Sequence, residues 1–540
     1  MKLVTVAQMQ AIEKEADASG LTYDQMMENA GQGLADVIFD LYEGDEGTQK
    51  EVVALVGPGN NGGDTLIALT ELATEGWKAS AYLVKRKKDE LVKRFAEAGG
   101  MVLAGENSFE NLVAALETAD VFLDGILGTG THLPLKKDVA ELLSEVNNVL
   151  DSLEEGPIVV AVDCPSGVDC NTGQIADETL KADITVTMAA VKQGLLKLPA
   201  FEYVGDLEVV DIGLPEDLDS FTNVKTEVAD ENTIAALLPE RALDSHKGTF
   251  GTALIVAGSV NYTGAAYLAG EAAYRSGAGL VTMAVPGPVH IALAGRLPEA
   301  TWVLLPHETG VISAGAVEVL AKNFERATAL LVGPGFGMEN TTKEFIENLV
   351  QGKYAAKKNT QRIGFVHRES EKAEDVNSKL PPLVVDADGL KLLGQIKDWY
   401  QKIPGPAILT PHPGEMAVLT DLSKDLIQEK REEIAAQYAK LWGHVVVLKG
   451  AFTIVAAPDG RATVIPVATP ALAHAGTGDV LAGLIVGLRA QGLDAYEAAI
   501  VGTWIHARAG LYAADDLGTT ASVLARDVLD SISDVISDLE

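Results

Sequence analysis

Short runs of β-branched and other apolar residues alternate with segments of helical spacing along the whole chain. In the first half these runs lie at residues 51–56, 79–84, 119–124, 157–163, 183–187 and 207–212. In the second half they lie at residues 252–257, 280–285, 327–333, 383–386, 407–410, 445–449, 453–456 and 463–466. Strands that alternate with helices pair in parallel and carry helices on both faces of the sheet. The pattern therefore predicts an α/β fold, with ligands bound at the carboxyl ends of the strands.

The 540 residues are enough for two large α/β domains. A polar, acidic, proline-containing stretch at residues 211–233 separates the two halves. We place the first domain at residues 1–225, a linker at 226–240 and the second domain at 241–540. A second polar stretch, residues 355–382, interrupts the α/β rhythm, and we expect it to be a surface insertion.

Charge and composition exclude several classes of protein. The net charge is −35, and such a field repels polyphosphate backbones, so we expect no nucleic-acid partner. No apolar run approaches the roughly 18–20 residues of a membrane span, and the first residues lack the apolar core of a signal peptide. The two cysteines, Cys164 and Cys170, form neither a disulfide framework nor a zinc motif. We expect a cytoplasmic protein without membrane association and, because such assemblies are common, a homo-oligomer.

A glycine-rich segment follows the first predicted strand. Residues 57–62 read G-P-G-N-N-G, which matches the dinucleotide-binding pattern G-x-G-x-x-G. The segment continues to Asp64, so two amides and a carboxylate stand where a pyrophosphate needs bare backbone. A carboxylate repels phosphate unless a cation or an uncharged polar group lies beside it. A plain dinucleotide site is therefore a poor explanation of this segment.

Two further strands of the same predicted sheet end in acidic, glycine-containing segments. Asp124 leads into G-I-L-G-T-G, and Asp163 leads into C-P-S-G. Each aspartate could simply cap a helix or stabilise a turn. Together with Asn60, Asn61 and Asp64 they converge on one edge of the sheet, where they supply oxygen ligands or acid/base groups.

The order N-N-G-G-D, D-x-x-x-G-T-G and D-x-P-S-G resembles the NAD(P)H-hydrate epimerase domain of the YjeF N-terminal type. The resemblance implies a Rossmann-like α/β/α domain that interconverts the R and S hydrates of NADH and NADPH, with Asp163 in contact with the substrate near the reacting centre. We expect Asp163 to be the catalytic acid/base of this epimerisation. It implies a K⁺ ion bound by Asn61, Asp124 and Ser166. The implied substrate contacts are Asn60, Asn61, Gly62, Gly63, Asp64, Gly128, Thr129, Gly130, Thr131, His132, Leu133 and Pro134. Thr65 and the pair His132–Leu133 depart from the family pattern, where a glycine and an arginine are common.

The second half carries the sequence A-G-T-G-D at residues 475–479, directly before an apolar helix. Backbone N–H groups at a helix start bind anions, aided by the helix dipole. Asp479 is then positioned to take a proton from a substrate hydroxyl. In isolation it could equally be an acidic residue that stabilises the helix N-terminus.

Six further motifs precede this helix in order. They are H-K-G at 246–248, A-G-S at 257–259 with N-Y-T-G-A-A at 261–266, G-P-G-F-G at 333–337, D-A-D-G at 386–389, T-P-H-P-G-E at 410–415 and K-G-A-F-T at 449–453. Together they resemble the ribokinase-like ADP/ATP-dependent NAD(P)H-hydrate dehydratases over about residues 240–535. One departure is A-H-A at 473–475, where small glycine-rich residues are usual.

This second resemblance implies phosphorylation of the hydrate hydroxyl with Asp479 as base, followed by loss of phosphate. The implied substrate contacts are Ala265, Gly335 and His412. The implied contacts of ADP or ATP are Lys449, Gly450, Ala451, Phe452, Thr453, Gly476, Thr477 and Gly478. Mg²⁺ is an implied cofactor, and Asp386 and Asp388 either assist it or turn a strand end.

The two resemblances together predict a bifunctional enzyme that repairs hydrated NADH and NADPH, with ADP as the expected phosphoryl donor. The alternative is a ribokinase-like small-molecule kinase with an N-terminal binding or scaffold domain, which the G-T-G-D motif alone does not exclude. An NADP-dependent oxidoreductase is opposed by the amides and the carboxylate of residues 60–64. An RNA-associated scaffold is opposed by the net charge of −35.

Overall fold

The structure, a computed structural model, describes residues 1–42, 49–105, 107–353 and 379–540. The chain divides into two compact units, Met1–Val228 and Ala229–Glu540. Residues 355–378 of the predicted insertion lie outside the described residues. Among the helices that are described, none has both the length and the apolar character needed to cross a membrane.

The first unit contains a parallel sheet between helices. Its strands are β1 (Leu3–Val4), β2 (Glu51–Val56), β3 (Lys78–Leu83), β4 (Met101–Leu103), β5 (Val121–Gly125), β6 (Ile158–Val162), β7 (Ile184–Met188), β8 (Val191–Lys192), β9 (Asp206–Val210) and β10 (Thr226–Val228). Its helices are α1 (Val6–Ser19), α2 (Tyr23–Asp40), α3 (Asn60–Thr74), α4 (Glu90–Glu97), α5 (Ser108–Leu116), α6 (Lys137–Ser152) and α7 (Asp219–Thr222). The main sheet has the order β4-β3-β2-β5-β6-β7-β9 with every pair parallel, and β1 pairs with β8.

Strand β2 shows why this unit has three layers. Val52, Ala54 and Val56 point into a core shared with α1, α2 and α3. Val53 and Leu55 point into a second core shared with α5 and α6. Successive side chains of a strand alternate between the two faces, so a strand that is apolar throughout needs helices on both sides. The predicted α/β/α architecture is confirmed.

The second unit is larger and contains its own sheet. Its strands are β11 (Thr252–Val256), β12 (Leu280–Pro286), β13 (Thr301–Leu305), β14 (His307–Glu308), β15 (Val311–Ile312), β16 (Ala329–Val332), β17 (Leu383–Val385), β18 (Ile408–Leu409), β19 (Val445–Leu448), β20 (Ile454–Ala456) and β21 (Ala462–Val464). Its helices are α8 (Glu231–Leu237), α9 (Thr263–Arg275), α10 (Gly287–Leu293), α11 (Ala316–Ala321), α12 (Asn340–Val350), α13 (Asp388–Leu393), α14 (Pro413–Thr420), α15 (Lys424–Glu429), α16 (Arg431–Trp442), α17 (Thr477–Ala490), α18 (Ala495–Leu517), α19 (Ala525–Asp530) and α20 (Ile532–Leu539).

Strands β13, β12, β11, β16, β17, β18 and β19 follow one another in this sheet and are parallel, whereas β20 and β21 are antiparallel to their neighbours. Helix α17 packs so closely on α9 that a Cβ atom at Gly483 would overlap the carbonyl oxygen of Ala269. Apolar residues cover nearly the whole circumference of α17, so the helix is buried. This packing fixes the start of α17 beside the carboxyl ends of the strands.

The segment predicted as a linker, residues 226–240, contains β10 and α8. Val228 and Ile234 are buried there, so the segment has an apolar side. The acidic residues around it made the segment read as a linker in the sequence. Strands β4 and β13 were not predicted either. Each lies at the end of its sheet's strand order.

Candidate functional site

The first unit contains a cavity of about 330 Å³ at the carboxyl ends of β2, β5, β6 and β7, here called the first cavity. It brings together five residues predicted from the sequence: Asn60, Asn61, Asp64, Thr129 and Asp163. It also contains residues that the sequence motifs did not indicate, among them Glu13, Tyr23, Met188 and Lys192.

Residues 60–64 lie in a helix and not in the loop that the sequence suggested. Helix α3 begins at Asn60 after an extended N-cap at Gly59, and the N–H of Gly63 donates to the carbonyl of Gly59 at 3.2 Å. A Cβ atom at Gly62 would overlap the carbonyl oxygen of Gly57. At Gly63 it would lie 2.5 Å from Sδ of Met27. These two glycines therefore allow α3 to start close to β2 and α2.

Asp163 directly follows β6 and has a φ of 63°, a left-handed conformation that is costly for a residue other than glycine. Its carboxylate accepts hydrogen bonds from Nζ of Lys192, from Oγ1 of Thr187 at 3.1 Å and from the N–H of Met188 at 3.2 Å. Lys192 is only 1% exposed and also donates to the carbonyl of Met188 at 2.8 Å. No motif marks Lys192, and only the turn between β7 and β8 brings it to Asp163.

Two other carboxyl groups of the first cavity, those of Asp64 and Glu13, have raised pKa values. Burial raises the pKa of Asp64 well above its ordinary value, and the charge of Asp163 raises it further, against Lys192. Burial also raises the pKa of Glu13, again reinforced by Asp163 and opposed by Lys192. The ammonium group of Lys192 thus lies near three carboxyl groups and opposes the pKa rise of both Asp64 and Glu13.

Hydrogen bonds connect the three residues predicted to bind K⁺, because Ser166 bonds to Asp124 and both Asn61 and Ser166 bond to Leu127. The amide nitrogen of Asn61 donates to the carbonyls of Leu127 at 3.1 Å and Val162 at 2.5 Å. The N–H and hydroxyl of Ser166 donate to the two carboxylate oxygens of Asp124 at 2.7 and 2.6 Å. Burial raises the pKa of Asp124, and the hydrogen bonds from Ser166 oppose that rise.

Only part of the predicted contact segment 128–134 lies at the first cavity. Thr129 lines the first cavity, and Gly128 lies against Asn61 so closely that a Cβ atom would overlap its Oδ1. Thr131 closes a turn by donating from its N–H at 3.0 Å and its hydroxyl at 2.8 Å to the carbonyl of Gly128. The remaining members lie outside the lining of the cavity: Gly130, His132, Leu133 and Pro134.

The second unit contains a cavity of about 400 Å³, here called the second cavity. The residues predicted from the sequence that line it are His412, Lys449, Gly450, Ala451, Thr453, Thr477 and Gly478. Its apolar wall includes Ile465, Val467, Leu472 and Leu481, and Thr503 and His506 enter from α18. Phe452 and Gly476 do not line the cavity but lie next to residues that do. The N–H of Phe452 donates to the carbonyl of Val467 at 3.0 Å, and Gly476 is the N-cap of α17, directly before Thr477.

Asp479 lies in the first turn of α17, as predicted. Gly476 precedes the helix with a φ of 96°, which favours glycine. The hydroxyl of Thr477 donates at 2.9 Å to the carbonyls of Leu472 and His474. The imidazole of His506 lies 2.8 Å from the carbonyl of Thr477, so α18 also holds this turn. Burial lowers the pKa of His506 to about 4, which leaves this imidazole neutral at physiological pH.

One lysine serves several carboxylates in the second unit. Nζ of Lys449 donates to Asp386 at 2.7 Å and lies 3.8 Å from a carboxylate oxygen of Glu415. Burial opposes the charge of Lys449, but Asp386 and Glu415 outweigh burial and raise its pKa. Burial raises the pKa of Asp479 to about 7, the charge of Asp386 adds to the rise, and Lys449 opposes it. Asp479 is thus a carboxylate whose basicity suits proton transfer at neutral pH.

His412 begins α14. Its Nδ1 accepts from the N–H groups of Gly414 at 2.9 Å and Glu415 at 3.3 Å, so the neutral ring carries its proton on Nε2. Burial lowers the pKa of His412, with Glu415 opposing. Ala265 and Gly335 are in contact, since a Cβ atom at Gly335 would lie 2.8 Å from Cβ of Ala265. Neither residue is part of the lining of the second cavity.

Asp386 and Asp388 are both engaged by protein groups. Asp386 accepts from Lys449 and from the hydroxyl of Thr410 at 2.6 Å. Asp388 accepts from Lys391 and from the N–H of Gly337, both at 3.0 Å. Within the described ranges, no group of three or more His, Cys, Asp or Glu side chains is arranged to hold a metal ion.

Comparisons with known proteins cover both units. A family model described as YjeF-related protein N-terminus matches residues 23–194, and one described as NAD(P)H-hydrate dehydratase matches residues 253–356 and 364–534. The bifunctional NAD(P)H-hydrate repair enzyme of Moorella thermoacetica is 34% identical over 100% of this chain and 97% of its own length. The enzyme of the same name from Salinibacter ruber is 36% identical over 99% of this chain and 96% of its own.

The crystal structure of the ADP/ATP-dependent NAD(P)H-hydrate dehydratase from Bacillus subtilis is 30% identical, with a TM-score of 0.45, and aligns over 58% of this chain and 99% of its own. The Moorella and Salinibacter relatives align with both units, over nearly the full length of both chains. The chain therefore belongs to the family of bifunctional NAD(P)H-hydrate repair enzymes.

Proposed function

We propose that this chain restores NADH and NADPH from their hydrates in two steps. The first unit interconverts the R and S hydrates, and the second dehydrates the S hydrate at the expense of a nucleotide, with ADP as the expected donor. The observation that carries the proposal is that buried carboxyl groups of raised pKa lie at or beside a cavity in each unit. Asp64 lines the first cavity, whereas Asp479 lies outside the lining of the second cavity and directly follows Thr477 and Gly478, which line it. Buried carboxyls of raised pKa are suited to moving protons at neutral pH.

In the first cavity, Asp163 acts on the hydroxyl that hydration has added to the nicotinamide ring. Lys192 and Thr187 both donate hydrogen bonds to Oδ1 of Asp163 and hold the carboxylate in place. The other oxygen, Oδ2, exchanges the proton with the substrate. Asp64 and Asn60 line the same cavity and bind polar groups of the substrate. Water is excluded from the buried carboxyls, which strengthens each of these interactions.

Asn61, Asp124 and Ser166 are the residues proposed to hold K⁺. Asp124 is fully buried, and its hydrogen-bond donors are the uncharged Ser166 and the backbone, so a monovalent cation fits beside it. Carbonyl, amide and carboxylate oxygens are the donors that hard cations prefer. The ion, when bound, supplies a fixed positive charge that neutralises Asp124 and orders residues 124–128.

In the second unit, Asp479 takes the proton from the hydroxyl of the S hydrate. The hydroxyl oxygen forms a bond to the terminal phosphorus of the nucleotide, and the bond from that phosphorus to the bridging oxygen breaks. From ADP this releases AMP. The N–H groups at the start of α17 and the ammonium of Lys449 stabilise the charge of the transferred phosphoryl group.

Phosphate then leaves with the electron pair of its C–O bond, and loss of a proton from the adjacent ring carbon restores the double bond. The apolar wall of the second cavity accommodates the adenine, and residues 449–453 hold the phosphates. We propose that Mg²⁺ enters on the nucleotide phosphates, because Asp386 and Asp388 are already engaged by lysines.

The test is recovery of the absorbance of reduced nicotinamide from a purified R and S mixture of NADH hydrate, with ADP, ATP or no nucleotide. Full recovery that depends on a nucleotide is expected, and the nucleotide that supports it is the donor. An Asp163→Asn variant should stop once the S form is consumed. An Asp479→Asn variant should recover neither form. No recovery by the unaltered chain with either nucleotide would refute the proposal and favour a small-molecule kinase.

A further inference from the structure

Helix α1 forms part of the wall of the first cavity. Met9, Gln10 and Glu13 line the cavity from this helix. Ile12 and Ala16 are fully buried in the core on the adjoining face of the helix. The helix therefore cannot rotate Glu13 away from the cavity without exposing these apolar side chains to water.

A short parallel ladder ties α1 to the lysine that holds Asp163. Strand β1 pairs with β8, with Leu3 opposite Val191 and Val4 opposite Lys192. Helix α1 begins at Val6, immediately after the N-cap Thr5, whose hydroxyl accepts from the N–H of Gln8 at 3.1 Å. The same two strands thus position both Lys192 and the base of the helix that carries Glu13.

The carboxyl groups of Glu13 and Asp163 differ in their partners. Asp163 is held by Lys192, Thr187 and the N–H of Met188. Glu13 is half-buried, and its carboxyl takes no hydrogen bond or ion pair from the residues that the structure describes. The charged groups that act on it or line the same cavity are Asp163, Lys192, Asp64 and Asp24. The carboxyl group of Glu13 is thus free to form a hydrogen bond to a bound molecule and exchange a proton with it. The carboxylate of Asp163 is held in one position by its three hydrogen-bond donors.

Loss of the hydroxyl from one face of the ring and addition of water to the other face inverts the configuration of the hydroxyl-bearing carbon. We propose that Glu13 is a second catalytic residue of the epimerisation, acting on the face of the nicotinamide ring opposite to Asp163. This inference rests on the proposed function of the first unit. It assigns a chemical role to α1, all of which lies before residues 23–194, the part matched by the N-terminal family model.

The step balances with two proton transfers, one to the leaving hydroxyl and one from the incoming water. One carboxyl group donates its proton to the hydroxyl, and the C–O bond breaks with its electron pair leaving on water. The lone pair of the ring nitrogen stabilises the resulting cation. Water then adds from the other face and gives a proton to the other carboxylate. The reaction needs no oxidant or reductant, and the two residues exchange roles for the reverse direction.

The experiment compares Glu13→Gln with Asp17→Asn, an exposed acid-to-amide change on the same helix. The R hydrate is supplied with the nucleotide that supports dehydration, so that recovery reports epimerisation, and the S hydrate is supplied separately. We expect Glu13→Gln to lower kcat from the R hydrate by about 10²–10⁴-fold, the usual contribution of a general acid or base, with little change in KM. The rate from the S hydrate and the rates of Asp17→Asn should equal those of the unaltered chain.

Two further measurements separate catalysis from structure. The Glu13→Asp variant should recover part of kcat, and Glu13→Gln should lose one limb of the pH profile of kcat. A Glu13→Gln variant with unchanged kcat and pH profile, or with a defect only in KM, would overturn the role of Glu13 and leave the proposed function intact. Absence of epimerisation in the unaltered chain would overturn the proposed function and this inference together.

Discussion

The Asp479→Asn substitution should abolish dehydration and at the same time stabilise the folded chain at alkaline pH. Burial and the charge of Asp386 raise the pKa of Asp479 from 3.8 to about 7. One pKa unit corresponds to about 1.4 kcal/mol, so ionising this side chain in the folded protein costs about 4 kcal/mol more than in the unfolded chain. Asparagine has a similar shape and does not ionise.

The sign of the pH effect follows from the direction of the pKa shift. The folded state favours the protonated carboxyl, and that contribution is complete below pH 3.8 and is lost as the pH rises through about 7. The free energy of unfolding of Asp479→Asn should therefore exceed that of the unaltered chain by a margin that widens by about 3 kcal/mol between about pH 5 and about pH 9. Urea denaturation at the two pH values measures this margin.

The same ionisation should control the dehydration rate. The base must be deprotonated, so kcat from the S hydrate should rise as the pH increases through about 7. The Asp479→Asn variant should lose about 10²–10⁴-fold in kcat, and Asp516→Asn, an exposed change on α18, should lose nothing. A variant that keeps its kcat, or whose stability margin does not change with pH, would refute the assignment of Asp479 as a buried base.

Three more predictions concern particular contacts. Lys192→Met should lower the free energy of unfolding by about 3–5 kcal/mol in urea titrations, because Asp163 loses its buried partner; an unchanged midpoint would contradict this. Replacing K⁺ by Li⁺ should slow R-to-S conversion and leave dehydration of the S hydrate unaffected; equal slowing of both would exclude a site confined to Asp124 and its neighbours. Gly483→Ala should destabilise the chain by about 1–3 kcal/mol in the same titrations, since its methyl group would overlap Ala269; unaltered stability would show that α9 can move.

The carboxyl ends of the strands could be located from the sequence because glycine and acidic residues follow apolar runs there. Asp163 and Asp479 lie directly at a strand end and a helix start, as their motifs predicted. The edge strands β4 and β13 could not be located in the same way. Residues 101–103 and 301–305 are mostly exposed or half-exposed, so neither has the continuous apolar character of an internal strand.

Glu13 and Lys192 were missed for a different reason. Neither belongs to a recognisable motif, and they are 179 positions apart in the sequence. They meet Asp163 because β1 and β8, each only two residues long, pair in parallel. Such a short pair has no periodicity that a sequence pattern could show. The cavity is therefore predictable where one strand end supplies the residue, and unpredictable where a distant segment completes it.

The two units show two ways of keeping a carboxylate inside a protein. Lys192 donates directly to Asp163 and is nearly inaccessible to water, so among the carboxyl groups near this ammonium group Asp163 is the one matched by a direct bond. Lys449 is bonded to Asp386 and lies near Glu415, so it only partly offsets the burial and the charge of Asp386 that raise the pKa of Asp479 to about 7. A matched carboxylate keeps a fixed position while a proton passes to and from a substrate, as reversible epimerisation requires. An uncompensated one binds a proton strongly, as deprotonating a hydroxyl before phosphoryl transfer requires. For the proposed roles of Asp163 and Asp479, the distribution of lysines thus suits a reversible proton exchange in the first unit and deprotonation of a hydroxyl in the second.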